Sequence, residues 1–491
     1  MLRTTEHHIM KIPRTLVAAL TLSAVVATSR PADGQEARTA GDFGAMGTAK
    51  VMCSAVFVSG RDLDEALRNS AWPPLFAPRG TLEALQAGSS GSRGASINVD
   101  DERKTVDVTF RGFTGRARYF GDQGCVIIPP GADGVFFDPV DLETTLPDAE
   151  SQPWPMGDAP TNTPWPPEVD RRTVEAATDT AFDGESLTAA FVVLYKGQII
   201  AERYGQGATQ DTQLESWSMG KSLTATLFGL LVKDGHYDLH GLAPVALWHA
   251  DPEDPRSRIR IADLLRMSSG LYFTHASQPR WAWGREVADH MYIYEGGVDV
   301  FHFSITRPLE HPPNTVGRYR NVDPLTIGYL IRQKVEELGE TYLAWPQTAL
   351  FDKIGIREQV LEPDPYGNFV LTGFDYGTGR NWARLGLLYL QDGVWNGERL
   401  LPEGWAAFVS TPAPAWDEGQ YGGLFWVNRN GRWTHLPHDA YYMSGAGGQH
   451  VIIVPSHDLV VVRMGHRRGA REGVPALNKS LGLLMEAIGG R

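Results

Sequence analysis

The stretch Ser216-Trp217-Ser218-Met219-Gly220-Lys221-Ser222, followed by an apolar run from Leu223 to Val232, decides how the rest of the chain is interpreted. The apolar run predicts a buried helix, with Ser218 and Lys221 at positions i and i+3 of its start. Such positions share one helix face, with β-carbons about 5 to 6 Å apart, so the lysine amine can reach the serine hydroxyl. Unpaired N–H groups at a helix start also favour an anion beside Ser218. The stretch therefore predicts a serine nucleophile with a neighbouring base.

A second interpretation fits this short motif equally well. Ser218 can be a helix N-cap, and Lys221 can be a solvated residue of the first turn. The remaining segments of the chain have to distinguish the two interpretations.

The composition of the whole chain excludes several classes of protein. Its 491 residues, 42% hydrophobic and 21% charged, can form two or three compact units with a large core. The net charge of −13, from 58 acidic and 45 basic side chains, argues against nucleic acid as a partner. No apolar run reaches the roughly 18 residues needed to span a bilayer. We therefore expect a soluble mature protein without a stable membrane anchor.

The N-terminus has the pattern of a secretory signal peptide. Three basic residues precede the apolar segment 16–27, and Ala27-Thr28-Ser29 supplies small residues for cleavage. We expect residues 1–29 to be removed and the protein to be exported, either to the periplasm or out of the cell. A buried N-terminal helix is the alternative.

The chain has two cysteines, Cys53 and Cys125. In an oxidising compartment they can form a disulfide, and a bridge that closes about 70 residues would stabilise the fold by roughly 4 kcal/mol. Two buried free thiols are the alternative. Neither cysteine belongs to a Cys-x-x-Cys or Cys/His cluster, so we predict no metal site.

Three regions follow the signal peptide. Residues 48–135 are expected to form a small α/β or β-rich domain, because short alternating segments flank turns such as Asp100-Asp101-Glu102-Arg103. Seven prolines between residues 146 and 167 predict an extended linker, which we place at 136–175.

The third region, residues 176–491, begins with strands at 189–195 and 198–204 that are joined by the turn Lys196-Gly197. Helices are predicted in the middle, and the chain ends with further strands at 450–454 and 459–464 and a helix over 475–488. This order predicts an α+β fold in which an antiparallel sheet is flanked by helices and receives strands from both ends of the domain, with an inserted helical lobe.

Two further stretches carry groups that a serine nucleophile needs. Tyr319-Arg320-Asn321 lies on a predicted loop before a helix, where the tyrosine can project into a cleft. The glycines of Met443-Ser444-Gly445-Ala446-Gly447-Gly448-Gln449 predict close approach of the backbone to a ligand, with an N–H that could complete an oxyanion hole. A packing tyrosine and an ordinary glycine-rich strand entry are the alternatives.

The three stretches, in this order, resemble the serine hydrolase superfamily of class C β-lactamases, penicillin-binding proteins, family VIII esterases and 6-aminohexanoate-dimer hydrolases. The resemblance covers about residues 180 to 485 and includes the segments 261–271 and 377–386. It implies the β-lactamase/transpeptidase-like fold, with Ser218 as the acylated nucleophile, Lys221 as its proton acceptor and Tyr319 as the acid and base for the leaving group.

The resemblance also implies the substrate-binding groups. Asn321 would orient the substrate or Lys221, and the N–H groups of Ser218 and Ala446 would form the oxyanion hole, next to Ser444 and Gly445. No metal or organic cofactor is implied.

The third stretch departs from the β-lactamase pattern. The positions usually written Lys-Thr-Gly fall on Met443-Ser444-Gly445, so the cation that would pair with a substrate carboxylate is replaced by methionine. A desolvated ion pair of that kind is worth a few kcal/mol. Small esters or neutral-ended linear amides are therefore the expected substrates, and the Gly-Gly-Gln ending is closest to the 6-aminohexanoate-dimer hydrolase branch.

Two alternatives to this function are kept. Within enzymes, the alternative is a β-lactamase or D-Ala-D-Ala peptidase. In another class, it is a non-catalytic binding protein on the same fold. Nothing in these patterns bears on the oligomeric state.

Aromatic residues are dense between Tyr272 and Phe303, namely Phe273, Trp281, Trp283, Tyr292, Tyr294 and Phe301. Such density can line a substrate pocket or form a lid, and it can equally pack a helical lobe. His290 and His302 lie in the same stretch. Because lone histidines usually bind nothing, we expect no ligand at either.

Overall fold

The computed structural model describes residues 40–69, 95–110, 112–160, 163–275 and 287–489. The predicted signal peptide, Trp281 and Trp283 lie outside these residues. The strands, numbered in chain order, are β1 Ala95–Asp100, β2 Thr105–Phe110, β3 Phe113–Tyr119, β4 Cys125–Ile127, β5 Thr188–Tyr195, β6 Gln198–Tyr204, β7 Leu214–Glu215, β8 Val360–Leu361, β9 Asp375–Gly377, β10 Val394–Trp395, β11 Glu398–Arg399, β12 Trp426–Val427, β13 Tyr441–Gly445, β14 Gln449–Val454 and β15 Leu459–Gly465. The α-helices are Ala40–Phe57, Leu63–Asn69, Arg171–Ala181, Gly220–Lys233, Ala246–His249, Ile261–Leu265, Asp289–Glu295, Val300–Ile305, Val322–Glu337, Gly379–Leu390, Trp405–Ser410 and Ala470–Ala487.

A six-stranded antiparallel sheet in the order β12-β13-β14-β15-β5-β6 forms the centre of the molecule. Lys196 and Gly197 connect β5 to β6 with φ values of 51° and 77°, the left-handed geometry of a tight hairpin turn. On its other side β5 pairs with β15, which comes from the end of the chain. The predicted sheet, built from both ends of the domain, is therefore confirmed.

The sheet is buried on both faces, because its strands alternate between two hydrophobic clusters. In β5, Val192 and Leu194 belong to the cluster that includes helix Gly220–Lys233, whereas Phe191 and Val193 belong to the second cluster. Helix Gly379–Leu390 packs on β14 and β15, and helices Arg171–Ala181 and Ala470–Ala487 pack against each other. The predicted α+β class is confirmed.

A mostly helical segment of more than 200 residues is inserted between β6 and β12. Its first helix, Gly220–Lys233, follows β7 and the turn that carries Ser218, and we call it the Ser218 helix. Helix Val322–Glu337 packs against it. The Ser218 helix also contacts β13 of the central sheet. Ser218 therefore lies at the junction of sheet and lobe, as the order of elements predicted.

The N-terminal region is strand-rich, with an antiparallel sheet in the order β1-β2-β3-β4. Helix Ala40–Phe57, which the sequence did not indicate, packs across this sheet and against helix Asp289–Glu295 of the lobe. Gly115 permits the close approach, because a Cβ there would overlap the backbone of Ala45. These elements belong to one compact unit with the rest of the described chain. The boundaries at 48–135, 136–175 and 176–491 stay predictions.

The proline-rich linker lies on the C-terminal region, where the buried Arg384 and the half-buried Arg357 bind its carbonyl oxygens. Arg384 donates to the carbonyls of Pro155 (2.7 Å) and Gly157 (2.9 Å) and to the Asp158 carboxylate (2.7 Å). Arg357 donates to the carbonyls of Pro147 and Met156. Because prolines lack N–H groups but keep their carbonyls, this segment is suited to accept such bonds.

Cys53 of helix Ala40–Phe57 and Cys125 of β4 form a disulfide, with Cα atoms 5.9 Å apart. The bridge closes a loop of 72 residues, which lowers the entropy of the unfolded chain. We expect the double variant Cys53→Ser/Cys125→Ser to lose about 4 kcal/mol of unfolding free energy in urea denaturation. A loss below about 1 kcal/mol would show that the bridge does not restrict the unfolded chain in this way.

Candidate active site

Ser218 lies in a single 3-10 turn, Trp217–Met219, that leads into helix Gly220–Lys233. The N-cap residue of that helix is Met219, and no side chain caps it, so Ser218 is not an N-cap. Trp217 has a φ of 50°, a conformation that typically costs a bulky residue about 1 to 3 kcal/mol. Its buried ring packs against Tyr294 and Phe374, which hold it there. The turn therefore places Ser218 before the first residue of the α-helix rather than within it.

Lys221 is buried rather than solvated, with 1% of its surface exposed. Its Nζ lies 3.0 Å from Ser218 Oγ and donates to the carbonyl oxygen of Thr372, also at 3.0 Å. Burial lowers the pKa of Lys221 well below its usual value, and the nearby Asp375 carboxylate opposes this only in part. The amine is therefore held against the serine hydroxyl in surroundings that favour its neutral form.

Tyr319 covers the other side of this pair. Its ring centroid is 4.8 Å from Lys221 Nζ, and the ring stacks on Trp426 at 5.5 Å. Burial raises the pKa of Tyr319, and its hydrogen bond with Ser218 offsets this only partly. The phenol therefore stays protonated at neutral pH and lies within reach of the serine oxygen.

Ser216 and Asp375 lie next to the Ser218–Lys221 pair, and neither was predicted as a residue of the site. The Ser216 hydroxyl donates to the fully buried carboxylate of Asp375 in β9, and the Ser216 N–H donates to the Asp375 carbonyl. Gly220 leaves room for this acid, because a Cβ there would lie 2.7 Å from Asp375 Oδ1. Burial raises the pKa of Asp375 to about 7, and the hydrogen bond from Ser216 counteracts this.

A pair of histidines lines the lobe side of the site. The rings of His275 and His290 meet edge to face at 4.7 Å, and His290 Nδ1 lies 3.4 Å from Asn321 Nδ2. Burial, together with the charge of Lys221, lowers the pKa of His275 to about 4, and burial lowers that of His290 as well. Both imidazoles are therefore neutral at neutral pH. His290, for which we expected no ligand, lines the site next to His275 and Asn321.

Asn321, the predicted orienting residue, is 1% exposed and lies at the start of helix Val322–Glu337. Its Oδ1 atom has no hydrogen-bond partner within the described ranges. A buried amide oxygen without a partner is costly, so this oxygen is suited to accept a hydrogen bond from a bound molecule. The predicted role of Asn321 in binding substrate stays a prediction.

The glycine-rich stretch approaches Ser218 through its backbone. A Cβ on Gly445 would overlap the Ser216 carbonyl and lie 3.1 Å from the Ser218 nitrogen, so β13 passes directly beside Ser218. Ala446 is exposed in the hairpin turn that follows, and Ser444 is partly buried. Met443 is 1% exposed and belongs to the main hydrophobic core.

The structure thus brings together Ser218, Lys221, Tyr319 and the backbone at Gly445. Within the described ranges, no cluster of three or more His, Cys, Asp or Glu side chains could hold a metal ion. Nor does any helix of those ranges combine the length and apolarity needed to cross a membrane.

Known proteins are similar to this chain over much of its length. A family model described as Beta-lactamase matches residues 171–483. The 6-aminohexanoate-dimer hydrolase of Paenarthrobacter ureafaciens is 23% identical over 318 residues, which cover 57% of this chain and 73% of that protein.

Solved structures share the fold. A Bacillus anthracis protein provisionally assigned as a 6-aminohexanoate-dimer hydrolase superposes with a TM-score of 0.51 at 20% identity, covering 65% of this chain and 84% of that one. A penicillin-binding protein homologue from Caulobacter crescentus gives 0.50 at 14% identity, covering 66% and 98%. The resemblance to this serine hydrolase superfamily is confirmed. Because the family model spans more than half of the residues, from the helix before β5 to the last helix, the chain belongs to the β-lactamase family of hydrolases.

Proposed function

We propose that the protein cleaves a carboxylic ester or a linear amide through an acyl-enzyme formed on Ser218. One observation carries the proposal: the buried amine of Lys221 lies 3.0 Å from Ser218 Oγ, with the Tyr319 ring 4.8 Å from the same amine. A serine hydroxyl is a weak nucleophile and needs a base at hydrogen-bond distance.

In the first step, neutral Lys221 accepts the proton of Ser218 as its oxygen attacks the substrate carbonyl. The oxyanion then forms beside the N–H groups of Ser218 and Ala446, which would stabilise it. The contact of Gly445 with the Ser216–Ser218 backbone supports this arrangement, since it aligns the end of β13 with the serine nitrogen.

In the second step, Tyr319 gives its proton to the leaving alcohol or amine as the C–O or C–N bond breaks, and it takes up the proton that Lys221 removed from Ser218. Water then attacks the acyl carbonyl and gives one proton to neutral Lys221. That proton returns to Ser218 Oγ as the acyl bond breaks, which releases the carboxylic acid and restores the enzyme. The raised pKa of Tyr319 supports the acid role, because the phenol carries its proton at neutral pH. Its stacking on Trp426 fixes the ring relative to the serine.

The groups around the site favour a substrate without a free carboxylate next to the scissile bond. Met443 supplies no cation, and the imidazoles of His275 and His290 are neutral at neutral pH. The name of the Paenarthrobacter relative, 6-aminohexanoate-dimer hydrolase, suggests amides as test substrates.

Active-site labelling tests the proposal. We expect a fluorophosphonate probe to modify Ser218, identified by mass spectrometry, and the same preparation to hydrolyse p-nitrophenyl butyrate or a linear amide. Ser218→Ala should remove both signals. An active preparation labelled elsewhere would refute the assignment, and faster turnover of nitrocefin than of esters and amides would favour the β-lactamase alternative. Absence of labelling and turnover in folded protein would favour a binding protein.

A further inference from the structure

A buried carboxylate of the hydrolase region is bound by the N-terminal region. Glu362, which directly follows β8, is fully buried and accepts hydrogen bonds from Lys50 Nζ, from Ser54 Oγ at 2.8 Å and from the Cys125 N–H at 2.7 Å. Lys50 and Ser54 lie on helix Ala40–Phe57, and the disulfide joins that helix to Cys125. Three donors from outside the family segment therefore fix one carboxylate inside it.

Glu362 in turn fixes the segment 370–375. The Glu362 N–H donates to the carbonyl of Phe374 at 2.9 Å, and the Val370 N–H donates to the carbonyl of Glu362 at 3.0 Å. Lys50 also contacts this segment directly, with Nζ 3.9 Å from the centroid of the Phe374 ring. The hydrogen bonds with Glu362 fix the backbone of the segment, and the contact with Lys50 fixes the Phe374 side chain.

The same segment binds the reacting groups of the proposed mechanism. The Thr372 carbonyl accepts from Lys221 Nζ at 3.0 Å, and the Asp375 carboxylate accepts from Ser216. The Phe374 ring packs against Trp217, the residue before the nucleophile. A displacement of 370–375 would therefore change the direction of the Lys221 amine relative to Ser218.

We propose that Lys50 is a positioning residue for the reaction: through Glu362 and Phe374 it fixes the segment whose Thr372 carbonyl directs the Lys221 amine toward Ser218. This inference rests on the proposed function for its kinetic consequence. A neutral amine must point its lone pair at the serine proton, and the acceptor that binds one of its N–H groups determines that direction. Misplacement by about 1 Å can slow a reaction by as much as 100-fold.

The test compares turnover per active site rather than total activity. Lys50→Met removes the charge and shortens the unbranched side chain by one atom. In this variant we expect kcat per fluorophosphonate-titrated site to fall about tenfold or more, with KM changed less than about twofold. Loss of folded protein lowers the number of titrated sites but not the turnover of each.

Arg384→Met is the matched control. Arg384 is also 1% exposed, pairs with Asp158 and lies 4.7 Å from the ring of Trp154. Its hydrogen bonds are to residues 155–158 of the linker and to Asn381, not to the segment 370–375. We expect it to lower the melting temperature and leave kcat per site within about twofold. Ser54→Ala removes one donor to Glu362 and keeps the ion pair, so we expect it to lower kcat per site in the same way but by a smaller factor. It takes the place of Lys50→Met in the test if that variant does not fold.

Hydrogen–deuterium exchange provides a readout that does not depend on catalysis. Peptides that cover 370–375 should exchange faster in Lys50→Met or Ser54→Ala than in the wild-type protein and in Arg384→Met. Unchanged exchange together with unchanged kcat per site would overturn the inference while the proposed function stands. Faster exchange in a protein whose wild type neither labels at Ser218 nor turns over substrate would keep the physical link and overturn the proposed function.

Discussion

Lys221→Met should abolish turnover and at the same time stabilise the folded protein. Without the amine, Ser218 has no base, and residues that act as one unit typically lose about 10⁴- to 10⁶-fold in kcat when one is removed. For the same reason, adding Ser218→Ala to Lys221→Met should cost almost nothing more. The gain in stability has a separate cause: burying this lysine costs free energy, because the amine must either stay charged without water or lose its proton.

The sign of the pH dependence follows from the lowered pKa of Lys221 in the folded state. Between that pKa and the unfolded value of about 10.4, the unfolded chain binds more protons, so wild-type stability rises with pH. The advantage of Lys221→Met is therefore largest at low pH and shrinks toward pH 10.4, by at most about 1.4 kcal/mol per pH unit. Wild-type kcat/KM should fall as the pH falls through the folded pKa, because protonated Lys221 cannot accept a proton.

Denaturation and kinetics across this pH range measure both effects. Lys233→Met is the control, since Lys233 is an exposed residue at the other end of the same helix and should change neither. A Lys221→Met variant that is less stable than the wild type, or that keeps turnover above the background of Ser218→Ala, would contradict the role of Lys221 as a buried neutral base.

Tyr319→Phe should separate amide from ester hydrolysis. An amine leaves only after it is protonated, so loss of the phenol should slow cleavage of a linear amide by about 10²- to 10⁴-fold. A p-nitrophenolate ion leaves without a proton, and the corresponding ester should lose less than about tenfold. The ring itself, and thus its stacking on Trp426, is retained in the variant.

Tyr421→Phe is the control for this comparison. The buried Tyr421 ring lies 6.1 Å from that of Tyr319, and its hydroxyl has no role in the proposed mechanism. It should affect the two substrates equally and weakly. Equal large losses on amide and ester in Tyr319→Phe would assign the tyrosine to the attack step rather than to the leaving group.

Ser218 and Lys221 could be found in the sequence because local geometry fixes them, whereas Tyr319 and the glycine-rich stretch 443–449 were found from their motifs and the family resemblance. Ser218 and Lys221 lie one helical turn apart, and Lys196-Gly197 adopts the left-handed turn that its position between two strands requires. Asp375 and His290 were not found as members of the site. They reach Ser216 and Asn321 only because β9 and helix Asp289–Glu295 pack there, which no short-range pattern encodes.

Helix Ala40–Phe57 was missed because it lacks an amphipathic stripe. It packs between the β1–β4 sheet and helix Asp289–Glu295, so apolar and small residues surround it. Its glycines at 41, 44 and 47 lower helix propensity, yet they allow close packing: a Cβ on Gly47 would lie 2.7 Å from the Glu295 side chain. Tertiary contact here outweighs local preference.

The last helix was predicted to start at Pro475 but starts at Ala470. Proline is commonest in the first turn of a helix, which favours a start at Pro475. Inside the helix, its missing N–H deprives only the Arg471 carbonyl of a partner, and Arg471 is exposed to water, which can replace the bond. The preceding turn, Arg467–Gly469, leads directly into the earlier start.

The contacts of Glu362, Arg357 and Arg384 cross the boundary of the segment that matches the family model. That segment begins at residue 171, whereas the Cys125 N–H that binds Glu362 and the carbonyls of Pro147 and Pro155 that bind Arg357 and Arg384 lie before it. A chain cut at residue 171 would keep Ser218, Lys221 and Tyr319 but would leave a buried carboxylate and two guanidinium groups without these partners. We therefore expect the segment, in this protein, not to fold stably once it is separated from the residues before it.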